Sequence, residues 1–283
     1  MNRPKVKTAL IVLLAAVFAS FGFAQTTVEH YQQNGITIAT ANEIPYGWVD
    51  GGEAQGIAPD VIEAVLENMG ITDITWTVTE FGSLIPGVIA NRFGVVAASQ
   101  AVLPARCEQV AFSKINSSYG EGFLVEAGNP KNIHSYDDFV NNPDLRMGIV
   151  SGADQLDFAQ AYGIPESQLV MLNANADAPS ALTAGRIDAY AATGLTVVGL
   201  AEGNDRVEAA AEFVDPMIDG EAVRSYGAFT FNKNSELLEP FNEALAEFHQ
   251  TEEYREILKS HGLTDQDVDA ALAASTADLC AAE

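Results

Sequence analysis

The sequence predicts an α/β fold with two lobes, each a β-sheet flanked by helices, joined by a hinge of two strands. Short apolar segments alternate with amphipathic segments, which is the pattern of a layered α/β fold. The alternation runs once over residues 36–98 and begins again after residues 123–126. A chain of 283 residues favours two such units over one large sheet.

The first run has the order β-α-β-α-β. A strand at 36–40 is followed by a helix at 59–69, whose apolar residues recur on one face and which ends before Gly70. The other elements predicted for this run are a strand at 74–78, a helix at 82–93 and a strand at 95–98.

The second run begins with Ser135, which is placed to cap a helix at 136–140. Further predicted elements are strands at 145–150, 169–172 and 187–191, and helices at 154–161 and 179–184. A strand at 226–231 follows, and then helices at 236–248 (capped by Ser235), 252–260 and 265–274.

Two segments, 122–125 and 226–229, are predicted to cross between the lobes. A double connection forms a hinge that opens and closes with little twist, and a cleft between hinged lobes suits a small ligand. The predicted division of the chain is 1–24 as a signal peptide, 25–122 with 227–283 as the first lobe, and 123–226 as the second.

The chain begins with the pattern of an export signal. Arg3, Lys5 and Lys7 precede an apolar stretch at 9–21, and small residues place the cleavage site before Gln25. The stretch is short for a membrane span, and no Cys follows it as a lipid attachment site. We therefore expect a soluble periplasmic protein that is not a lipoprotein.

The composition is strongly acidic, with 14 Lys and Arg against 39 Asp and Glu and a formal charge of −25. Cleavage of the signal would remove three basic residues, leaving 11 against 39 and a charge of −28. This balance argues against nucleic acid and anionic membranes as partners. The acidic residues are spread along the chain, which is typical of a solvated surface.

The sequence contains two cysteines, Cys107 and Cys280. In an exported chain, one disulfide between them is the simplest prediction; two free thiols or a link between chains are the alternatives. The four histidines are scattered and no Cys pair has metal-ligand spacing, so neither a metal nor a cofactor is expected.

Arg106 stands out as an isolated cation in an apolar neighbourhood, between the strand at 95–98 and Phe112-Ser113. A guanidinium cannot be neutralised by losing a proton, so Arg106 requires an anionic partner. A small-molecule carboxylate held by two hydrogen bonds is one candidate. A structural ion pair with an Asp or Glu of the chain is the other.

Several motifs occur in a fixed order behind the export signal. They are Pro45-Tyr46, Gly56-Ile-Ala-Pro-Asp60, Arg106 before Phe112-Ser113, Gly185-Arg-Ile-Asp-Ala189, and Phe231-Asn-Lys-Asn-Ser-Glu-Leu-Leu238. Over residues 34–262 the chain resembles the solute-binding proteins of polar amino acid ABC transporters, family 3. The resemblance implies a type II periplasmic binding protein, a monomer that holds its ligand in the cleft and docks on an inner-membrane permease.

Some positions resemble one branch of that family, the ectoine and hydroxyectoine binders. These are the Arg106-Cys107 pair and Glu43, three residues before Tyr46. Where amino acid binders carry an Asp for the ligand ammonium, this chain has Thr193. The expected ligand is therefore a small zwitterion with a delocalised cation, and a polar amino acid is the alternative.

The resemblance also implies roles for individual residues. Arg106 would bind the ligand carboxylate, Glu43 would face its amidinium, and Tyr46 and Phe81 would form aromatic walls. Groups near Gly152 and Asp154, with Thr193, would complete the site from the second lobe. Two positions depart from the family pattern: Ala101 replaces a third aromatic, a face that Trp48 is available to supply, and Gly94 replaces an Asp.

Each site residue also has a structural interpretation. Tyr46 is a candidate loop-packing residue, Phe81 a contact for the following helix, and Glu43 a solvated acid. Thr193 and Asp154 are placed to start helices, and Gly152 to form a turn.

Two other classes of protein compete with a binding protein. A small-acid dehydratase with Glu43 as general acid lacks a second catalytic motif, and a sensory domain would be expected to carry a following membrane span. The sequence therefore favours a binding protein without enzymatic activity.

Overall fold

The computed structural model describes residues 21–218 and 220–282, with side chains from residue 27. The predicted signal peptide lies mostly outside this range, and its last four residues begin the first helix, so its cleavage stays a prediction. In the described part of the chain, no helix has the length and apolar character needed to cross a membrane.

The helices and strands alternate through most of the chain. The strands are β1 Ile36–Thr40, β2 Trp48–Asp50, β3 Glu53–Gln55, β4 Ile74–Val78, β5 Val95–Ala101, β6 Ala111–Tyr119, β7 Glu121–Glu126, β8 Met147–Val150, β9 Leu169–Leu172, β10 Ala189–Thr193, β11 Val207–Ala209, β12 Met217–Ile218, β13 Glu221–Ala222 and β14 Ser225–Phe231. The helices are α1 Phe21–Asn34, α2 Ile57–Asn68, α3 Leu84–Ile89, α4 Pro104–Cys107, α5 Tyr136–Asn141, α6 Gln155–Ala161, α7 Ala178–Thr183, α8 Gly194–Ala201, α9 Leu238–Phe248, α10 Glu252–Ser260, α11 Asp265–Ala273 and α12 Thr276–Ala281.

The first lobe is built on a five-stranded sheet in the order β4-β1-β5-β14-β6. Strand β1 pairs in parallel with β4 and β5, whereas β14 is antiparallel to both of its neighbours. Strand β5 is buried at every residue. Continuous burial explains why all of its residues except Gln100 are apolar or small, and Gln100 accepts a hydrogen bond from Thr230.

The second lobe has its own five-stranded sheet, in the order β11-β7-β10-β8-β9. Strands β10, β8 and β9 run parallel, and β7 pairs antiparallel with β10 and β11. The two mixed sheets, each flanked by helices, confirm the predicted α/β fold of two lobes.

The chain crosses between the two sheets in short links, at Gly120 and at residues 223–224. The predicted crossing segments 122–125 and 226–229 lie directly beside these links, in β7 of the second sheet and in β14 of the first. Arg224 attaches its link to the first lobe through Asp267, with an N–O distance of 2.8 Å. The lobe bounds predicted from sequence, which fall within a few residues of these links, stay a prediction.

Local sequence signals explain which predicted helices are present in the structure and which are not. Ser135 forms the expected capping box, in which it and Asp138 satisfy each other's backbone amides. Ser235 does not cap a helix, because it lies in a turn and α9 begins only at Leu238. The helix predicted at 82–93 is a 3₁₀ turn followed by the short α3, which ends before Asn91 adopts a positive φ.

A disulfide joins Cys107 to Cys280 with a Cα–Cα distance of 5.7 Å. It connects α4, which carries Arg106, to α12 at the end of the chain. The bridge closes a loop with a sequence separation of 173 residues, so it removes many conformations from the unfolded chain.

Replacing both cysteines by Ser is expected to lower the free energy of unfolding by about 2–4 kcal/mol, because the unfolded chain regains its freedom. Urea denaturation with and without reductant measures the effect. Reductant should lower the stability of the wild type only; an equal effect on the double variant would contradict a stabilising bridge.

Candidate functional site

A cavity lies between the two lobes and is lined by residues from both. In this closed arrangement the cavity has a volume of about 30 Å³. The residues around it are Glu43, Tyr46, Phe81, Ala98, Ser99, Ala101, Tyr119, Val150, Ala153, Asp154, Gln155, Asn175, Tyr190, Ala192 and Thr193. Such an interlobe cavity is the expected position for a small ligand.

Glu43 reaches the cavity from a tight loop that follows β1. The backbone groups of Glu43 and Gly47 exchange two hydrogen bonds of 2.8 Å, which fix the loop. A Cβ atom at position 47 would lie 2.4 Å from Oγ1 of Thr40, so only glycine fits there. The close packing of this loop holds both Glu43 and Tyr46 against the cleft.

The carboxyl group of Glu43 is enclosed by the second lobe. Thr196 on α8 donates a hydrogen bond of 2.7 Å to Oε1 of Glu43, and Asn175 contributes a further one. Burial, opposed by these hydrogen bonds and assisted by the charge of Asp154, raises the pKa of Glu43 from 4.5 to about 7. Glu43 therefore exchanges protons near neutral pH.

Aromatic rings surround this carboxyl group. Tyr46 packs edge-on against Tyr119 with ring centroids 4.9 Å apart, and Phe81 and Tyr190 contribute further rings to the lining. Tyr190 donates a short hydrogen bond to Asn175, which orients the amide beside Glu43. A carboxylate among aromatic faces is an arrangement that binds organic cations.

Arg106 is 8% exposed and lies at the edge of the same cleft. Its Nη1 atom donates to the carbonyl of Ala101 and its Nη2 atom to that of Gly152, both at 2.9 Å. The guanidinium lies 5.9 Å from the ring centroid of Phe81. No carboxylate of the described residues forms an ion pair with it, so the structural alternative to a ligand anion is not realised there.

The two lobes approach most closely beside Arg106. A Cβ atom on Gly152 would lie 2.9 Å from Cα of Gly82 on the opposite lobe. Gly152 also has a φ of +86°, which favours glycine. This contact and the Arg106 bond to Gly152 show the lobes in a closed arrangement.

A second acidic group occupies the end of the cavity near the hinge. Asp154, 6% exposed, accepts a hydrogen bond of 3.0 Å from Ser225. Glu121 beside it accepts one of 2.6 Å from Gln155. Burial, together with the charge of Asp154, raises the pKa of Glu121 well above its usual value.

Thr193 both faces the cleft and caps a helix, the two positions considered for it from the sequence. It lines the cavity and caps α8, where its hydroxyl accepts from the amide of Thr196. It also donates to the Thr196 hydroxyl at 2.9 Å, and Thr196 in turn donates to Glu43. Asp154 stands at the N-cap position of α6 but makes no capping hydrogen bond there.

The structure brings most of the predicted site residues into one lining. Glu43, Tyr46, Phe81, Asp154 and Thr193 face the cavity, whereas Arg106 and Gly152 bond to each other at its edge. Ala101 lies in the lining, and Trp48 instead packs edge-on against His261, so Trp48 does not supply the missing aromatic face.

Sequence reasoning missed several polar residues of the site. Tyr119, Glu121, Asn175, Tyr190 and Thr196 surround the cleft or support its lining. Glu121 had a signal, because it is an acid close before the apolar segment 123–125. Thr196 had one too, since it follows Thr193 by one helical turn.

No group of three or more His, Cys, Asp or Glu in the described residues is arranged to hold a metal ion. The groups available for ligand recognition are carboxyl groups, tyrosine hydroxyls, aromatic faces and one buried guanidinium. Groups of these kinds can recognise both the charged and the apolar parts of a small polar solute.

Comparisons with known proteins agree with the fold and the cleft. The chain is 47% identical over 280 residues to the probable amino-acid ABC transporter periplasmic-binding protein y4tE of Sinorhizobium fredii (strain NBRC 101917 / NGR234), covering 97% of this chain and 91% of that one. The crystal structure of EhuB in complex with hydroxyectoine matches with a TM-score of 0.82 at 28% identity, covering 92% of this chain and 99% of EhuB.

A more distant structure shares the fold alone. The ancestral amino acid-binding protein AncCDT-1, a precursor of cyclohexadienyl dehydratase, matches with a TM-score of 0.70 at 21% identity over 83% of this chain and 98% of that one. A family model matches residues 36–264, which include both sheets and every residue of the cavity lining. The chain belongs to the bacterial extracellular solute-binding proteins, family 3.

Proposed function

We propose that the protein is a periplasmic, monomeric solute-binding protein that delivers ectoine, hydroxyectoine or a related small zwitterion to the inner-membrane permease of an ABC importer. The observation that carries this proposal is the buried guanidinium of Arg106, which has no carboxylate partner among the described residues and borders the cavity that Glu43 faces. A cation at one end and a carboxyl group at the other match the two charges of a zwitterion.

Arg106 is suited to bind the ligand carboxylate, because its side chain has more N–H donors than hydrogen bonds to the protein. A guanidinium has five N–H groups, and two hydrogen bonds go to the carbonyls of Ala101 and Gly152. The remaining donors are available to an incoming carboxylate. A ligand held there also touches the second lobe near Gly152, so it favours the closed form.

Glu43 is suited to a delocalised cation. It lies among Tyr46, Phe81 and Tyr190, and Thr193 stands on the opposite wall. A flat amidinium stacks on such rings and donates to one carboxylate, whereas a compact ammonium favours several oxygens. The likeness to EhuB, solved with hydroxyectoine, supports the same ligand class. The polar amino acids remain the alternative, which the name of the Sinorhizobium relative favours.

A thermal-shift panel tests the ligand class on the protein without residues 1–24. We expect ectoine or hydroxyectoine to raise the melting temperature by several degrees, since a ligand far above its Kd adds several kcal/mol. Glycine betaine, proline and the polar amino acids are the comparison. A selective shift with an amino acid would agree with the family but reject a ligand with a delocalised cation. Recovery of unchanged ectoine after long incubation with the protein would support binding without catalysis.

Arg106→Ala is expected to weaken binding of the panel ligand by at least about thirtyfold, because truncating one partner of a buried charge pair costs about 2–5 kcal/mol. Thr193→Ala should weaken it by a few-fold. Isothermal titration gives both values. Arg92→Ala, which removes an exposed cation outside the cavity lining, is the matched control; normal affinity in Arg106→Ala would reject the assigned carboxylate site.

Ectoine binding at pH 6 should release up to about one proton. Glu43 has a pKa of about 7 in the ligand-free protein and is mostly protonated at that pH, whereas a bound cation favours its ionised form. Without ligand, the Glu43 contribution to stability is greatest below about pH 4.5 and falls as the pH rises to 7.

Titration in two buffers of different ionisation enthalpy measures the released protons. Glu43→Gln should abolish the release, and Glu53→Gln, an exposed acid on β3, should retain it. Release that persists in Glu43→Gln would assign the proton to another group.

A further inference from the structure

We propose that Leu195 is a positioning residue for the binding site, which stabilises the closed cleft by packing its side chain against the core of the opposite lobe. This inference rests on the proposed function, because it concerns how tightly the same solute is bound. It assigns part of the affinity to a residue that does not recognise the solute itself.

Leu195 differs from other apolar residues of α8 in the lobe that it contacts. Helix α8 packs on β7 and β11 of the second sheet, so it moves with the second lobe. Val197 and Leu200 accordingly pack in the apolar cluster of that lobe. Leu195 instead packs against the apolar cluster of the first lobe, which includes residues of β1, α2 and α9. The Leu195 contact therefore exists only while the cleft is closed.

The first lobe receives Leu195 at the turn that follows α10. A Cβ atom on Gly262 would lie 3.3 Å from Cδ2 of Leu195, so a side chain at that position would press on the leucine. The glycine thus leaves the space that the leucine methyl groups occupy. Both residues stand outside the cavity lining in the part of the chain that the structure describes.

A second apolar contact lies one turn further along α8. Gly199 is on the same helix face as Leu195, and a Cβ atom there would lie 3.6 Å from Cγ2 of Ile44 on the first lobe. Thr196 stands between these two points of the helix and donates its hydrogen bond of 2.7 Å to Glu43. Apolar groups around a polar contact exclude water and so strengthen it. Leu195 and Ile44 therefore support the bond that joins α8 to Glu43.

The consequence for binding is a larger closed population. A contact made only in the closed form lowers the free energy of that form, whether or not a ligand is present. The apparent affinity for any ligand that requires closure rises by the same factor. Because Leu195 stands outside the lining, this factor does not depend on the chemistry of the solute.

Leu195→Ala is expected to raise the Kd of both ectoine and hydroxyectoine by about five- to twentyfold, because a half-buried side chain loses most of its carbon atoms. The ratio of the two Kd values should stay within about twofold of the wild-type ratio, and the loss should appear in the dissociation rate. Isothermal titration gives the Kd and the stoichiometry, and stopped-flow fluorescence gives the rates.

Two further variants separate positioning from general damage to α8. Val198→Ala truncates an exposed apolar side chain of the same helix and should leave both Kd values within about twofold of the wild type. Leu195→Met retains the volume and the apolar character of the side chain, so it should keep both values within about threefold.

Wild-type affinity in folded Leu195→Ala would overturn the inference and leave the proposed function intact. A loss confined to one of the two solutes would also overturn it, because Leu195 would then act in solute recognition. Failure of Leu195→Ala to fold would do the same, since the residue would then support the second lobe itself. If the wild type bound neither solute, the proposed function would fail, and the inference with it.

Discussion

The closed structure depends on hydrogen bonds between charged groups of one lobe and the backbone carbonyl and hydroxyl groups of the other. Arg106 donates to the carbonyl of Gly152, and Glu43 accepts from Thr196, so both of the first lobe's charged site residues bond across the cleft. Each bond replaces water that the group loses on closure. The closed form is therefore possible only where every charge entering the cleft finds a partner.

This constraint explains two glycines at the cleft. Gly82 and Gly152 meet so closely that a Cβ atom on either would touch the opposite lobe at 2.9 Å. Small residues at these points let the backbones approach until the Arg106 and Glu43 bonds reach their lengths. Packing and electrostatics thus select the same closed geometry.

Much of the fold follows from local sequence patterns. Apolar alternation locates β1, β4 and β5, and the capping box at Ser135 locates α5, because these signals act over a few residues. The β6 strand was missed. It is polar at Asn116, Ser117 and Ser118, which are buried by the neighbouring strand and helices and not by their own hydrophobicity. Burial of that kind depends on tertiary contacts that one segment does not reveal.

The candidate site likewise combines residues that the sequence identifies with residues that only tertiary contacts bring together. Arg106 stands out in the sequence, because a lone Arg near a buried strand is unusual, whereas Glu43 and Tyr46 are identified only through the resemblance to the binding-protein family. Part of the second lobe's contribution has no signal in the sequence. Asn175 and Tyr190 become neighbours of Glu43 only when β10 and the turn before α7 are brought together and the lobes close.

The electrostatics of the closed cleft join ligand binding to protonation. Glu43 and Asp154 face one cavity, and the charge of Asp154 contributes to the raised pKa of Glu43. An empty closed cleft therefore favours a proton on Glu43, and in the proposed function a ligand cation takes over the role of that proton. In that proposal, proton and solute compete for one carboxyl group, so a rise in pH favours closure on a cation. The chain carries 39 acidic residues against 14 basic ones, and the proposal assigns ligand selectivity to the few of these acids that face the cleft.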